Sequence, residues 1–328
     1  AAYALRWPAA ADELSEFDVV ITSGNEPLWW VPDDDQTVVA YTHSTPRFMY
    51  DLFNETHDFD TIKSRLTTLF YQVQRAVYES NVRRPDLWVA NSDLVARRIE
   101  RYWNIPEEQI TVVYPPVDTY HFSPDDAATE EFYLHLGRLV NAKCVDEAVR
   151  AFEGRDAELW IAGDGPERDR LEAMAPDNVR FLGFVDEERK RELYARARAL
   201  IYPPQNEDFG MVPIEAMAAG TPVIGVHDGF TRFQIQDGQN GVLWPRGGLP
   251  NALDRFERDG VAWSETEIAA FASANFSVGR FHTEMRQAIE DARERAAVET
   301  NFETPQHGSE ETPVDPSVEV ATDGGGSA

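Results

Sequence analysis

From residue 132 onward, short apolar runs and longer amphipathic stretches take turns along the chain. The runs "FYLHLGRLV", "ELWIAG", "VRFLGFV", "ALIYPP", "TPVIGV" and "GVLW" are rich in aliphatic and aromatic residues and are bounded by turn formers, so they predict buried strands. Between them, "VDEAVRAFEG", "ERDRLEAMA", "DEERKRELYARA" and "MVPIEAMAAG" carry apolar residues at helical spacing. Strand and helix in strict alternation predict a doubly wound α/β unit with a parallel sheet. Two more helical segments follow, up to about Ala296.

The first half repeats the pattern less completely. "FDVVITS" (Phe17 to Ser23) and "TVVAYTHS" (Thr37 to Ser44) predict strands. "DTIKSRLTTLFYQVQRAVYES" predicts a helix, with Ile62, Leu66, Leu69, Phe70, Val73 and Val77 at helical spacing. "LWVANSDLVARRIERYW" predicts a strand running into a helix capped by Asn91 or Ser92. "ITVVYPPVDTYHFSP" predicts a strand and then a Pro-rich crossing between domains. A doubly wound domain usually opens on a strand and a Gly-rich turn, whereas this chain opens on "AAYALRWPAADELSE". The expected division is an incomplete first domain over 1–117, a complete second domain over 118–280, a helix over 281–297, and a tail over 298–328. The tail is acidic, rich in Pro and Gly and poor in apolar residues, a composition that predicts disorder.

Charge changes the picture next. The net charge is −28, and the basic side holds 27 Arg against three Lys: Lys63, Lys143 and Lys190. Such a chain repels itself at low ionic strength and is relieved when molar salt shortens the screening length to about 3 Å. Acid excess with scarce Lys resembles the proteins of salt-in halophiles. Nucleic acid is an unfavoured partner, because phosphate binding needs a basic face. The acidic balance also opposes docking to anionic headgroups, but screening at high salt weakens that objection, so peripheral membrane contact stays open. No apolar run reaches the roughly 18 residues of a membrane span, and no basic region with an apolar stretch follows the first residue. The single cysteine, Cys144, excludes an internal disulfide and reads as a small core residue, and the seven His show no metal-ligand spacing.

Candidate chemistry gathers at predicted strand ends, where folds of this class bind ligands. In "PPQNEDFGMVPIEAMAAG", Glu207 follows a strand, Gly210 turns the chain, and Pro213 suits the first turn of a helix that carries Glu215. Free N–H groups near Gly210, Met211 and Val212 would face an anion between the two carboxylates. Spacing by itself decides nothing, since five Glu pairs lie eight apart in the chain. A carboxylate that accepts two hydrogen bonds suits paired sugar hydroxyls. In "HLGRLVNAKC", Arg138 and Lys143 frame a Gly turn and could both reach a diphosphate. "IAGDGPERD" is a weaker glycine turn, in which tight packing is as good a reading as ligand contact. His43, in "YTHSTPR", lies at a strand's carboxyl end with Arg47 four residues on.

Together these segments resemble glycosyltransferase family 4, retaining enzymes built from two facing Rossmann-like domains, the GT-B fold. The two-glutamate motif of that family falls on Glu207 and Glu215, and "YTHSTPRFMYDLF" and "FSVGRFHTEM" resemble its surface-polysaccharide mannosyltransferases. The resemblance implies an α/β fold of two such domains, the N-terminal one apparently truncated because the family's first strand and Gly-rich loop have no counterpart here. It implies that Arg138 and Lys143 bind the donor diphosphate and that Glu215 holds the ribose. Glu207 would contact the sugar, amides from Phe209 to Val212 the sugar or phosphate, backbone near Val185 the base, and Gly165 the donor nucleotide sugar. His43 would face the reacting centre. The implied activity moves a hexose, mannose or glucose, from a UDP- or GDP-linked donor to a glycan or lipid-linked acceptor, with retention and without a metal or other cofactor. The implied setting is the cytoplasm or the inner face of its membrane. The competing reading is a non-catalytic relative that binds nucleotide sugar or glycan without transfer, motivated by the missing Gly-rich loop.

Overall fold

A computed structural model of the chain describes residues 11–24, 30–51, 53, 61–124 and 130–303. It contains two parallel sheets. The first is formed by β1 (Val19–Ser23), β2 (Thr37–Thr42), β3 (Leu87–Ala90) and β4 (Ile110–Val112), in that spatial order. The second has the order β10-β9-β8-β5-β6-β7, with β5 (Phe132–Leu136), β6 (Glu158–Ala162), β7 (Val179–Gly183), β8 (Ala199–Tyr202), β9 (Val223–Val226) and β10 (Gly241–Trp244). Every position of β2, β3, β8 and β9 is buried, as expected of parallel strands covered on both faces.

The helices are α1 (Ala11–Leu14), α2 (Ile62–Asn81), α3 (Asp93–Trp103), α4 (Val145–Ala151), α5 (Arg168–Met174), α6 (Glu187–Arg196), α7 (Met211–Ala218), α8 (Thr231–Gln234), α9 (Leu249–Asp259), α10 (Glu265–Phe276) and α11 (Val278–Glu303). Three long helices therefore follow β10, where the apolar pattern predicted two. α11 also runs past Val298 to Glu303, six residues into the stretch predicted to be disordered. Residues 304–328, like the opening residues 1–10, lie outside the described residues.

Each sheet is a middle layer. On one face of the first sheet, Trp88 and Ala90 pack against Val95, Ile99 and Trp103 of α3. On the other, Val39, Tyr41, Leu87 and Val89 pack against Met285, Ala288 and Ala292 of α11, so the C-terminal helix closes the N-terminal sheet. The second sheet separates a core centred on Leu134, Leu200 and Ile214 from one centred on Tyr133, Ile161 and Phe152.

α2 forms where the periodicity predicts it, yet its apolar stripe faces outward. Leu66, Leu69, Phe70 and Val73 are all more than half exposed, while Thr68, Tyr78 and Asn81 are buried. The helix is seated by aromatic and polar contacts instead: Tyr78 packs against Trp103, and Tyr50 donates to Glu79 at 3.1 Å.

The strand order reverses between β5 and β8. The chain steps from β5 out to β6 and β7 on one side, and from β8 out to β9 and β10 on the other. The helices that follow β5 and β8 thus diverge, leaving a crevice outside their carboxyl ends. Two loops border it: 137–144 after β5 and 203–210 after β8. They are pinned together where Gln205 N–H donates to Ala142 O at 2.9 Å.

Candidate functional site

The two loops carry most of the residues singled out from the sequence. In the first, a one-turn helix over Asn141–Lys143 ends on Cys144, which adopts a left-handed φ of 48° and leads into α4. Cys144 is half-buried at this cap and is not a core residue as its rarity suggested; burial raises its thiol pKa. In the second, Gly210 takes φ 81°, and α7 starts at Met211 with Pro213 in its first turn. The Gln234 amide fixes that turn by donating to Phe209 O at 2.8 Å and Gly210 O at 3.0 Å. A side chain at 210 would meet the Tyr202 hydroxyl at 2.7 Å.

Lys143 and Glu207 meet across the crevice, with Nζ 2.5 Å from Oε2 and both side chains about a quarter exposed. Tyr202, at the end of β8, lies beneath them. Its ring is 5.9 Å from the Lys143 ammonium, and burial together with the Glu207 carboxylate drives its hydroxyl pKa well up. Arg138 stands exposed at the same strand ends, and its side chain has no hydrogen-bond or ionic partner among the described residues. A cation held without a counter-charge beside a Gly turn is suited to an incoming anion.

Glu215, the expected ribose ligand, is buried on α7. It is 8% exposed, and its two oxygens accept from Tyr194 OH at 2.9 Å and Lys190 Nζ at 3.3 Å. Lys190, which the sequence marks only as a rare lysine, is thus a partner of the second glutamate. Phe209 is buried and stacked on Phe230, so only its backbone can serve a ligand; Met211 is partly exposed.

The glycine turn after β6 has a packing cause. A Cβ on Gly163 would lie 1.9 Å from Gly137 O, and one on Gly165 would lie 2.4 Å from Leu139 O. Leu139 N–H in turn donates to Asp164 O at 2.9 Å. The two glycines therefore let one loop brace the back of the Gly137–Leu139 turn. Val185 is half-buried beyond β7, next to Phe184, an aromatic that is 85% exposed and that pattern reading passed over.

His135, also passed over, lies just before the Gly137 turn. It is fully buried; Nδ1 is 3.1 Å from Ile201 O, and Nε2 has no partner. Because a carbonyl can only accept, the neutral ring carries its proton on Nδ1. Burial pushes the imidazole pKa down to about 4.

On the first domain, His43 directly follows β2, with Nε2 2.8 Å from Ser23 Oγ and the ring edge-on to Tyr41. Partial burial lowers its pKa, which keeps the ring neutral at pH 7. Asn91 Nδ2 donates to His43 O at 2.7 Å, while Ser92 is the residue that caps α3, accepting from Val95 N–H at 3.2 Å. Arg47 extends from the segment after His43 to the second domain, donating Nη1 to Asn206 O at 2.9 Å. Among the described residues no cluster of three His, Cys, Asp or Glu side chains could hold a metal ion, and no helix is long and apolar enough to cross a membrane.

Residues 117–261 match the family described as Glycosyl transferases group 1, and residues 1–121 match Glycosyltransferase Family 4. Both matches are to glycosyltransferases, and together they span residues 1–261. An uncharacterized glycosyltransferase of Methanocaldococcus jannaschii is 31% identical over 193 residues, 51% of this chain and 46% of that relative. A D-inositol 3-phosphate glycosyltransferase of Nocardia farcinica is 28% identical over 64% of this chain and 57% of its own length. The chain thus spans about half the length of the curated relatives it matches. Among solved structures, sucrose-phosphate synthase from Thermosynechococcus elongatus superposes with TM-score 0.72 at 20% identity, over 89% of this chain and 77% of that one. Anabaena HepE in complex with UDP and glucose superposes with TM-score 0.70 at 19% identity, over 87% and 80%. The two-domain GT-B architecture follows from these superpositions. Lys143, Glu207 and Glu215 all lie in the group 1 domain, and His43 lies in the family 4 domain.

Proposed function

We propose that the protein is a retaining hexosyltransferase that takes its sugar from a UDP- or GDP-linked donor and passes it to a glycan or lipid-linked acceptor. The observation that carries this reading is the Lys143–Glu207 pair with Arg138 beside it, at the strand-order reversal of a glycosyltransferase domain. A donor diphosphate draws Lys143 off Glu207 and takes Arg138 as its second cation. Glu207 then holds an unpaired carboxylate at the loop mouth, ready to accept from sugar hydroxyls. In the transfer step the anomeric carbon–oxygen bond to the diphosphate breaks, and Arg138 and Lys143 stabilise the charge that develops on the leaving oxygen. The acceptor oxygen bonds to the same face of the anomeric carbon, and its proton passes to the departing phosphate. His43, neutral and anchored on Ser23, approaches the sugar from the family 4 domain. Glu215 serves the ribose by exchanging its Tyr194 and Lys190 partners for the two hydroxyls.

Peripheral membrane contact belongs to this proposal, with α2 as the contacting element. Its outward stripe of Leu66, Leu69, Phe70, Val73 and Val77 runs beside Arg65 and Arg75, and Arg83 and Arg84 follow it, a locally basic and apolar surface on a strongly acidic chain. The acidic surface itself supports a high-salt setting.

The test is a binding and transfer screen in about 2 M KCl. UDP, GDP and their glucose and mannose conjugates are titrated by calorimetry, and labelled conjugates are offered with lipid-linked and oligosaccharide acceptors. Transfer with retained anomeric configuration is the expected result. Binding of neither nucleotide would overturn the proposal, and binding without transfer by a full-length chain would establish the non-catalytic alternative.

A further inference from the structure

The loop that carries Glu207 is gripped from the other domain. Arg98, on α3 and 6% exposed, donates from Nη2 to Asn206 Oδ1 at 2.8 Å, and its Nη1 pairs with the Asp208 carboxylate. Ser92 Oγ donates to Asp208 O at 2.6 Å, and Arg47 Nη1 to Asn206 O at 2.9 Å. Both neighbours of Glu207 are thus held, by side chain and by backbone, by residues of the family 4 domain. The group 1 domain holds the same loop from its other side. Asn206 N–H donates to Asp228 Oδ2 at 3.0 Å, and Phe230 N–H donates to Glu207 O at 2.8 Å. A Cβ on Gly229 would lie 2.4 Å from Glu207 N, so the loop is backed against the main chain there. Asn206 adopts a left-handed φ of 50°, a conformation that needs such support in a residue other than glycine. Side chains 206 and 208 turn to the first domain, and side chain 207 turns to Lys143.

We infer that Arg98 is a positioning residue. It sets the Glu207 carboxylate from the opposite domain, so that the donor site is complete only while the two domains are apposed. A buried guanidinium carries five donors in a fixed fork, so it holds Asn206 and Asp208 at once in one geometry and loses less freedom in doing so than a flexible ammonium would. Nucleotide binding, served by Arg138 and Lys143, does not pass through this contact; sugar positioning by Glu207 does. The inference rests on the proposed function for its catalytic consequence and on the contacts alone for its structural one.

The experiment compares the full chain with Arg98→Gln, Arg98→Lys and Asp208→Asn, in high salt, by hydrogen exchange of the peptide spanning 203–212, by UDP and GDP affinity, and by transfer kinetics. Exchange at 205–209 is expected to rise at least tenfold in Arg98→Gln. A displacement of about 1 Å at a reacting group can cost about 100-fold, so kcat is expected to fall to that extent, with nucleotide Kd held within threefold. Arg98→Lys is expected to recover part of the loss, and Asp208→Asn, which keeps an acceptor of the same shape, to give a smaller version of it. Should Arg98→Gln fail to fold, Asp208→Asn and Arg98→Lys carry the test. Unchanged loop exchange, unchanged kcat, or a nucleotide affinity that falls as steeply as kcat overturns the inference. If the wild-type chain transfers no sugar while the loop still loosens, the clamp stands and the proposed function falls.

Discussion

Lys143 and Glu207 are 64 residues apart in the chain and 2.5 Å apart in the fold. The loop after β5 supplies the ammonium and the loop after β8 the carboxylate, so the pair exists only because the sheet reverses its order between those strands. If the ammonium leaves the carboxylate for a diphosphate, removing it costs the charge-assisted contacts to phosphate, about 1.5–3 kcal/mol. Lys143→Ala is therefore expected to weaken UDP or GDP binding by roughly 10- to 100-fold. Arg189→Ala is the fitting control, because Arg189 pairs only locally with Glu192. Equal effects of the two substitutions in a calorimetric titration would show that Lys143 is a surface charge.

Lys190 is no such control, since it reaches Glu215. Tyr194→Phe leaves one Glu215 oxygen in a buried site without its donor, at a cost of about 1–3 kcal/mol. A fall in Tm of several degrees is expected, with Lys190→Ala giving a smaller fall because that contact is longer. If Glu215 is also the ribose ligand, Glu215→Gln weakens nucleoside diphosphate binding more than it weakens inorganic pyrophosphate binding. Equal loss for both probes would assign Glu215 a packing role alone.

These residues show which parts of the site local pattern could reveal. The six strands of the second sheet were legible because each is a short apolar run closed by a turn former, and Glu207, Gly210 and Pro213 were legible from their order along one turn. What the contacts of Glu215 are was not, since Lys190 comes from a different helix, 25 residues away. Arg98 sits among other arginines in "VARRIERYW" and nothing local distinguishes it; its partners are 108 and 110 residues on. Helical spacing found α2 and could not tell which face is covered, because periodicity reports a stripe and not what packs on it. Tyr202 did offer a signal, an aromatic hydroxyl at a strand end before two prolines.

Gly163 and Gly165 provide a third test of the loop assembly. An alanine at either position would drive its methyl into a backbone oxygen of the Gly137–Leu139 turn. Overpacking of that kind costs about 1–3 kcal/mol, and it moves the turn that Arg138 stands on. Gly163→Ala and Gly165→Ala are expected to lower Tm and to weaken nucleotide binding together. Gly279→Ala, where a Cβ meets nothing within 4 Å, is expected to leave binding unchanged. Normal nucleotide affinity in Gly165→Ala would show that the bracing loop does not set the turn.

His135 makes stability depend on acid in a defined window. Its folded pKa, about 4, lies below the unfolded value of about 6.5. Above pH 6.5 neither state is protonated and nothing is lost. As pH falls from about 6.5 toward 4, the unfolded chain takes up a proton that the buried ring refuses, and stability declines by on the order of 3 kcal/mol. The difference in Tm between pH 7.5 and pH 5 is expected to shrink in His135→Phe. An unchanged difference would show that the ring titrates normally in the folded state.

The salt response separates a halophilic surface from an acidic one that tolerates ordinary buffers. A net charge of −28 is carried while many of the described cations are already engaged in ion pairs, among them Arg168–Glu172 and Arg191–Glu188. Those pairs weaken as salt rises, which lowers stability, while the excess repulsion weakens too, which raises it. With 58 acidic side chains against 30 basic ones the second effect should prevail, because repulsion among unpaired acids acts over the whole surface while each exposed pair contributes at most about 1 kcal/mol. Tm is expected to rise steeply between 0.1 and 1 M KCl, as the screening length drops from about 10 Å to about 3 Å, and to level off beyond. Potassium chloride and sodium chloride should act alike over that range if screening is the cause. A Tm that is flat or falling up to 1 M would mean that the paired arginines already balance the surface, and would remove the support for a high-salt setting.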